Sequence, residues 1–297
     1  MDSRFRGNDK ETGMTTMSEQ EPIIKVQGLV KRFGEQTVLD GINLEIFPGE
    51  TMVVMGGSGC GKSTLLRIMI GSIKPTSGVV KVLGQDLARI SEDQIDELRK
   101  RIGILFQSGA LFNSMTVGEN VALPLREHTK LHPDVIDLQV TIKLNQVSML
   151  QARDKMPAQI SGGMKKRAGL ARALAMDPQI LFYDEPSAGL DPVTSSQIDE
   201  LIIKLCKGLG VTSVVVTHEM DSAFRIADRM CMLNRGKVLK VGRREEFEAL
   251  RDRENSEGLN EDELLMRQFL RGDAEGPLSS EEDKGGFFEE LGIFSLR

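Results

Sequence analysis

Thr51-Met-Val-Val-Met55 runs into Gly56-Gly-Ser-Gly-Cys-Gly-Lys62-Ser63, and the chain continues from Lys62 as Lys-Ser-Thr-Leu-Leu-Arg-Ile-Met-Ile70. The apolar run reads as a buried strand and the segment from Lys62 as the start of a helix. Between them lies Gly56-x-x-x-x-Gly61-Lys62-Ser63, the pattern of a phosphate-binding loop. Glycines let backbone N–H groups turn inward around phosphate oxygens, Lys62 adds a point charge, and Ser63 can ligate Mg²⁺. The helix start aims its partial positive charge at the same place. Candidate nucleotide-binding residues are therefore Gly56, Gly57, Ser58, Gly59, Cys60, Gly61, Lys62, Ser63 and Thr64. An ordinary glycine-rich turn explains neither the lysine nor both flanks.

A second apolar run, Ile180-Leu-Phe-Tyr183, ends in Asp184-Glu185. Parallel sheets place their ligands at the carboxyl ends of their strands, so this run delivers two carboxylates to a ligand edge. One can serve Mg²⁺ and the next can orient or deprotonate water. Pro186 and Ser187 follow, which leaves a helix N-cap as the other reading of Glu185. His218, alone after Val-Thr-Ser-Val-Val-Val-Thr, is structural or functional by position alone.

Ser161-Gly162-Gly163, followed by the basic helix Met164-Lys-Lys-Arg-Ala-Gly-Leu-Ala-Arg-Ala-Leu174, resembles the signature of ATP-binding cassette (ABC) ATPases. The resemblance covers roughly residues 22–248, with Gln107 at the family's Q-loop, Ala188-Gly-Leu-Asp191 at its D-loop and His218 at its switch histidine. Phe33 sits where the family stacks an aromatic ring on adenine. It implies ATP and Mg²⁺ as cofactors, with Ser63, Gln107 and Asp184 as metal ligands and Glu185, His218 and Gln107 as catalytic residues. Ser161, Gly162 and Gly163 form a second N–H nest, and nothing in the same subunit needs a second phosphate site. The family faces two subunits head to tail, so the resemblance implies an ATP-dependent pair in which Asp191 couples the halves.

Met164 stands where most cassette ATPases have Gln, and its side chain cannot hydrogen-bond the nucleotide. In that methionine, in the stretch Gly103 to Thr129 and in Arg267-Gln-Phe-Leu-Arg-Gly272, the chain resembles ATPases of the Mla (maintenance of lipid asymmetry, or toluene-tolerance) group. That likeness implies a phospholipid cargo, an integral-membrane permease whose coupling helix docks near Phe112 to Met115, and an MCE (mammalian cell entry) type lipid-binding partner. It places the chain in the cytoplasm, peripheral on the inner membrane. A polar-solute importer would use the same motor, and only Met164 and the Ser108 to Thr129 stretch argue against it. Non-transport cassette ATPases usually fuse two cassettes or insert coiled coils, whereas this chain has one copy of each motif and no extended heptads. A small-molecule kinase shares the phosphate loop but does not explain Ser161 to Met164.

With 297 residues, 40% of them hydrophobic, the chain can bury a sheet. No apolar run approaches membrane-spanning length and no signal-peptide core opens the sequence, so a soluble protein is expected. The three cysteines, Cys60, Cys206 and Cys231, lack the spacing of a zinc site or disulfide framework. Cys60 reads as a small spacer, with a reactive thiol at a helix start as the lesser reading. His128 and His132 read as surface or capping residues. A net charge of −6 with dispersed basic residues argues against nucleic acid. Lys165, Lys166 and Arg167 read as a solvated or phosphate-facing helix start.

The expected fold class is α/β, a P-loop NTPase core with a mixed, mainly parallel sheet. Strands at Ile23 to Gly28 and Val38 to Ile46 predict an N-terminal antiparallel part. Helical patterns at Val117 to Leu125 and Asp134 to Leu150 predict a helical subdomain over about residues 108–165. Residues 1–21 read as a disordered leader, with Met14 or Met17 as a further possible start, and residues 22–248 as the nucleotide-binding domain. Residues 249–297 read as an acidic extension, with an amphipathic helix at Glu261 to Leu270 and an apolar end from Phe287 to Phe294. That end is expected to dock on the neighbouring subunit, against the alternative of a frayed tail.

Overall fold

β-branched and apolar runs too short for helices, punctuated by glycine, form the strands of two sheets. The computed structural model describes residues 21–278. Residues 1–20 of the expected leader and the apolar residues Phe287 to Phe294 lie outside the described residues.

The chain opens with β1 (Ile24–Phe33) and β2 (Gln36–Ile46), an antiparallel hairpin. β3 (Thr51–Met55) leads through the glycine-rich loop into α1 (Lys62–Met69). β4 (Ser77–Val82) and β5 (Gln85–Asp86) return to the first sheet, whose order is β2-β1-β4-β5. α2 (Glu92–Arg99) precedes β6 (Ile102–Leu105), and α3 (Val117–His128), α4 (Pro133–Gln146) and α5 (Gly162–Ala173) follow. Then come β7 (Ile180–Asp184), α6 (Pro192–Leu209), β8 (Thr212–Val216), α7 (Met220–Ile226), β9 (Arg229–Asn234) and β10 (Lys237–Arg243). α8 (Arg244–Asp252) and α9 (Glu261–Arg271) end the described chain's regular elements.

The second sheet has the order β10-β9-β3-β8-β7-β6. From β9 to β6 every pairing is parallel, and β10 adds an antiparallel edge. β3 and β8 are buried at every position and β7 at all but Asp184, because both faces of the sheet's centre are covered. Val53, Met55, Leu181, Tyr183, Val215 and Met230 pack toward the helical side with residues of α3 to α6. Their alternates Met52, Val54, Ile180, Phe182, Val214 and Cys231 pack toward the hairpin and α1. Strand periodicity of two thus splits one sheet between two cores.

The helix expected at Asp134 to Leu150 ends earlier, at Gln146, and a separate 3₁₀ turn covers Leu150–Ala152. Ser148, with φ of 56°, breaks the helical path between them. Helix starts carry local signals: Thr116 and Glu119 form a capping box on α3, and Asn260 and Glu263 form one on α9. Asn120 is fully buried, and its carboxamide accepts from Phe112 N–H (2.8 Å) and donates to the carbonyls of Phe112 (3.1 Å), Met115 (3.2 Å) and Thr116 (2.9 Å). One amide therefore shapes the whole Phe112 to Thr116 loop.

Candidate functional site

The loop between β3 and α1 needs glycine at particular places. Gly56 has φ of 148°, and a Cβ there would lie 2.2 Å from the Leu233 carbonyl oxygen of β9. Gly61 precedes α1 with φ of 106°, and a Cβ would meet Leu39 Cδ2 at 2.6 Å. No side chain caps α1, so its first N–H groups are directed at the space in front of the helix. Lys62 is 8% exposed, and its Nζ donates to the carbonyls of Gly56 (2.7 Å) and Gly57 (2.9 Å). Cys60 is buried within the loop, and that burial pushes its thiol up, partly offset by Lys62. Both features agree with Cys60 as a small spacer. Ser58, Gly59 and Ser63 are exposed and Gly57 and Thr64 half-buried, so a polyphosphate can reach them. A cradle that Cβ atoms would fill, uncapped amides and an inward lysine fit a nucleotide's phosphates.

β7 brings two further groups to the same edge, and the end of β8 brings a third. Asp184 pairs in register with Val216, and Glu185 N–H donates to the Val216 carbonyl at 2.9 Å. Glu185 takes φ of 50°, the left-handed region that non-glycine residues seldom occupy. This turns its carboxylate to His218, whose Nδ1 lies 2.8 Å from Oε1 and whose N–H donates to Oε2 at 3.4 Å. Glu185 is sheltered at 13% side-chain exposure, while His218 is open at 59%. Burial raises the Asp184 carboxyl above its usual range and the Glu185 charge adds to this, while Arg67 and Lys62 draw it back. Asp184 therefore stands within electrostatic reach of the loop lysine. The N-cap reading of Glu185 does not hold, because the next helix, α6, is capped by Asp191.

The signature residues form the start of α5. Ser161 Oγ accepts from Met164 N–H at 3.3 Å, and Ser161 and Gly162 are exposed. Gly163 is buried against α6, where a Cβ would lie 2.4 Å from Thr194 Cγ2. Met164 is half-buried against the helical-side core, which a glutamine would not favour. Among the described residues no hydrogen bond joins Ser161, Gly162 or Gly163 to the phosphate loop. Asp191 is exposed, and its carboxylate accepts from the amides of Val193 (3.1 Å) and Thr194 (3.0 Å) and from the Thr194 hydroxyl (2.6 Å).

Gln107 lies exposed just beyond β6, and Phe33 lies at the tip of the hairpin with the Lys31 ammonium 4.8 Å from its ring centroid. The structure thus gathers Lys62, Asp184, Glu185 and His218 at one sheet edge and leaves Ser161 to Gly163, Gln107 and Phe33 around it. The solvated reading of the Lys165 to Arg167 run is corrected at its centre. Lys166 is buried, with its Nζ on the carbonyls of Glu185 (3.0 Å) and Ala188 (2.8 Å). Arg172, one turn and a half further on, donates to the carbonyls of Ala110 (2.8 Å) and Gly109 (3.2 Å), just after Gln107. Nothing local in the sequence marks the roles of Lys166 and Arg172, two of four basic residues on α5, or of the buried Asn120 on α3.

Residues 39–188, spanning the loop and the Asp184 to Ala188 turn, match the family described as ABC transporter. The chain belongs to the ABC transporter family. As an ABC transporter subunit of the ATP-binding kind it hydrolyses ATP, which sets aside the small-molecule kinase reading. It is 38% identical over 269 residues to the "Intermembrane phospholipid transport system ATP-binding protein MlaF" of Haemophilus influenzae, covering 91% of this chain and 98% of that protein. It is 41% identical over 272 residues to a "Probable ribonucleotide transport ATP-binding protein mkl" of Mycobacterium leprae, covering 91% of this chain and 75% of that protein. Among solved structures it is similar to the ADP- and Pi-bound dimeric ATP-binding cassette MJ0796, with a TM-score of 0.68 and 32% identity over 74% of this chain and 98% of that one. It is also similar to CbiO1 of Clostridium perfringens, with a TM-score of 0.73 and 34% identity over 77% of this chain and 92% of that one.

Proposed function

We propose that this chain is the ATPase of a transporter that moves phospholipid between membranes, acting as a pair of copies that clasp ATP between them. The observation that carries the cargo is the 38% identity along 98% of the Haemophilus influenzae phospholipid-transport protein. Met164 in place of the usual glutamine agrees with it.

The residues divide the work as follows. Lys62 and the amides of Gly56 to Thr64 hold the β- and γ-phosphates. Ser63, Gln107 and Asp184 fit Mg²⁺, a hard cation that takes one or two carboxylates and shares phosphate oxygens. When bound, the metal neutralises charge on the transferred phosphoryl group. Glu185 accepts a proton from the attacking water or orients it, and His218, on its hydrogen bond to Glu185, reaches the γ-phosphate. Phe33 stacks on adenine. Ser161, Gly162 and Gly163 of one copy complete the site of the other, which accounts for a helix start with no phosphate site of its own in this chain. Asp191 couples the two copies, and hydrolysis removes the charge that holds them closed.

This reading takes residues 22–248 as the nucleotide-binding domain, about residues 108–165 as its helical subdomain and residues 249–297 as an extension. Among the described residues no helix is long and apolar enough to cross a membrane, so the transporter requires an integral-membrane permease, received near Phe112 to Met115. Exposing a two-chain lipid to water costs on the order of 20 kcal/mol, so partners must shield the acyl chains, and an MCE-type protein suits that need. The chain then works on the cytoplasmic face of the inner membrane, without nucleic acid.

The similarity to mkl favours a second reading, a polar solute as cargo. Purifying the chain with its copurifying membrane subunits and identifying the bound molecule by mass spectrometry separates the two. Phospholipid at near-stoichiometric level supports the proposal, whereas a bound nucleotide-like solute and no lipid sinks it.

A further inference from the structure

The run Lys165-Lys166-Arg167 divides on folding. Lys165 and Arg167 keep partial exposure, and Arg167 bonds Gln197 of α6. Lys166 is 4% exposed, although it lies in the second turn of an otherwise half-open helix. Buried lysines are rare because removing an ammonium from water is expensive unless it is paired. Burial indeed pushes this ammonium below the usual lysine range, and the carboxylates of Glu219 and Glu185 hold it up. So costly a group is explained by what it holds.

Its two carbonyl acceptors are the ends of one turn. Glu185 O receives Lys166 Nζ at 3.0 Å and also Ala188 N–H at 3.3 Å, and Ala188 O receives Lys166 Nζ at 2.8 Å. That turn begins at the residue whose φ of 50° aims a carboxylate at His218. A left-handed non-glycine residue costs about 1–3 kcal/mol and persists only where its surroundings over-determine it. Val216 fixes the Glu185 N–H and Lys166 fixes its carbonyl, so both peptide planes flanking Glu185 are pinned. The helix that carries Lys166 also carries Ser161 to Gly163 at its start.

We propose that Lys166 is a positioning residue for ATP hydrolysis, clamping the Glu185 to Ala188 turn to α5 so that the Glu185 carboxylate and the Ser161 to Gly163 helix start move as one body. The inference rests on Glu185 as the group that handles the attacking water. In a pair of copies, Ser161 to Gly163 serve the neighbour's nucleotide while Glu185 serves its own. Lys166 is then the short mechanical link between the two sites.

The test compares Lys166→Met, which keeps length and removes the donors, with Lys166→Gln, which restores N–H donors without charge. Both are made in the full chain assembled with its permease, with Glu185→Gln alongside. Phosphate release is measured against ATP concentration, and the nitrogen resonances of the His218 ring report the Glu185 to His218 contact. Lys166→Met is expected to lower kcat about tenfold, about 1.4 kcal/mol in barrier, to leave KM for ATP within about twofold, and to displace the His218 resonances. Lys166→Gln should recover most of the rate. Wild-type kcat with unmoved His218 resonances in Lys166→Met overturns the proposal. So does joint loss of kcat and ATP binding with no rescue by Gln, which marks a merely structural lysine. Displaced His218 resonances together with full hydrolysis by Glu185→Gln would sink the role given to Glu185 and leave the clamp standing.

Discussion

The Glu185 carboxylate and the His218 ring meet at 2.8 Å, joining the ends of the adjacent parallel strands β7 and β8. One partner is sheltered and the other open, so the pair presents an imidazole to the outside on a fixed carboxylate. Because β3 lies on the other side of β8, the phosphate loop shares that edge.

Replacing Glu185 by Gln keeps a hydrogen-bonding group of the same size beside His218 and removes the charge. Turnover should fall by about 10²-fold or more, the usual span for a positioned general base. ATP binding should persist. Phosphate release together with equilibrium binding of a fluorescent ATP analogue checks this, and normal hydrolysis would refute the role of Glu185.

Gly56→Ala places a methyl 2.2 Å from the Leu233 carbonyl oxygen, on backbone held on both sides because β9 lies between β10 and β3. Overpacking and strained φ together should cost about 1–3 kcal/mol. The loop amides would turn with it, so ATP affinity should drop more than tenfold, or about 1.4 kcal/mol. Urea unfolding and ATP titration measure the two losses. Unchanged affinity would show that the loop tolerates the shift and that Gly56 is no part of the cradle.

The cysteines offer a check on the interior. Burial raises the thiols of Cys60 and Cys206, and it pushes Cys231 up to about 12. Little thiolate forms near neutral pH, so maleimide should label the native protein slowly, at a rate set by unfolding. ATP should protect only as far as it slows unfolding. Fast labelling of Cys60 in folded protein, blocked by ATP, would instead revive it as a reactive loop thiol.

Asp191 supplies a pH dependence. Hydrogen bonds from the Thr194 hydroxyl, then from the Thr194 and Val193 amides, hold its carboxyl below the usual aspartate range. A depressed pKa contributes stability that is fully present above the unfolded value of about 3.9 and is lost as pH falls through the folded one. Asp191→Asn keeps a neutral cap and lacks this term. The gap between the urea midpoints of the two proteins should therefore narrow from about pH 7 toward about pH 3. A gap independent of pH would show that the charge at Asp191 does nothing for α6.

Much of the candidate site was legible because its chemistry is local. The glycine spacing from Gly56 to Gly61, the lysine after it, and the acidic pair ending an apolar strand are fixed within a few residues of one another. Lys166 was misread for the opposite reason. Periodicity places it beside basic, partly exposed neighbours, and nothing nearby in sequence shows that a strand-end turn closes over it. Asp191 was read for an interface and proves also to be a helix cap, a signal that Asp-Pro at a helix start does carry.

The sequence alone determined that a strand, a glycine-rich turn and a helix would form an anion-binding cradle, since backbone freedom and N–H direction depend on adjacent residues. It equally determined a sheet whose inner strands are buried on both faces, since Met52 to Met55, Ile180 to Tyr183 and Val214 to Val216 are unbroken apolar runs. Only the tertiary structure decided that His218 meets Glu185 across a sequence separation of 33, that Lys166 meets it across 19, and that Leu233 walls the loop at Gly56. Those contacts follow from the order in which β9, β3, β8 and β7 lie side by side. Strand order is set by how whole faces are buried, a property of the assembled core that no single segment contains.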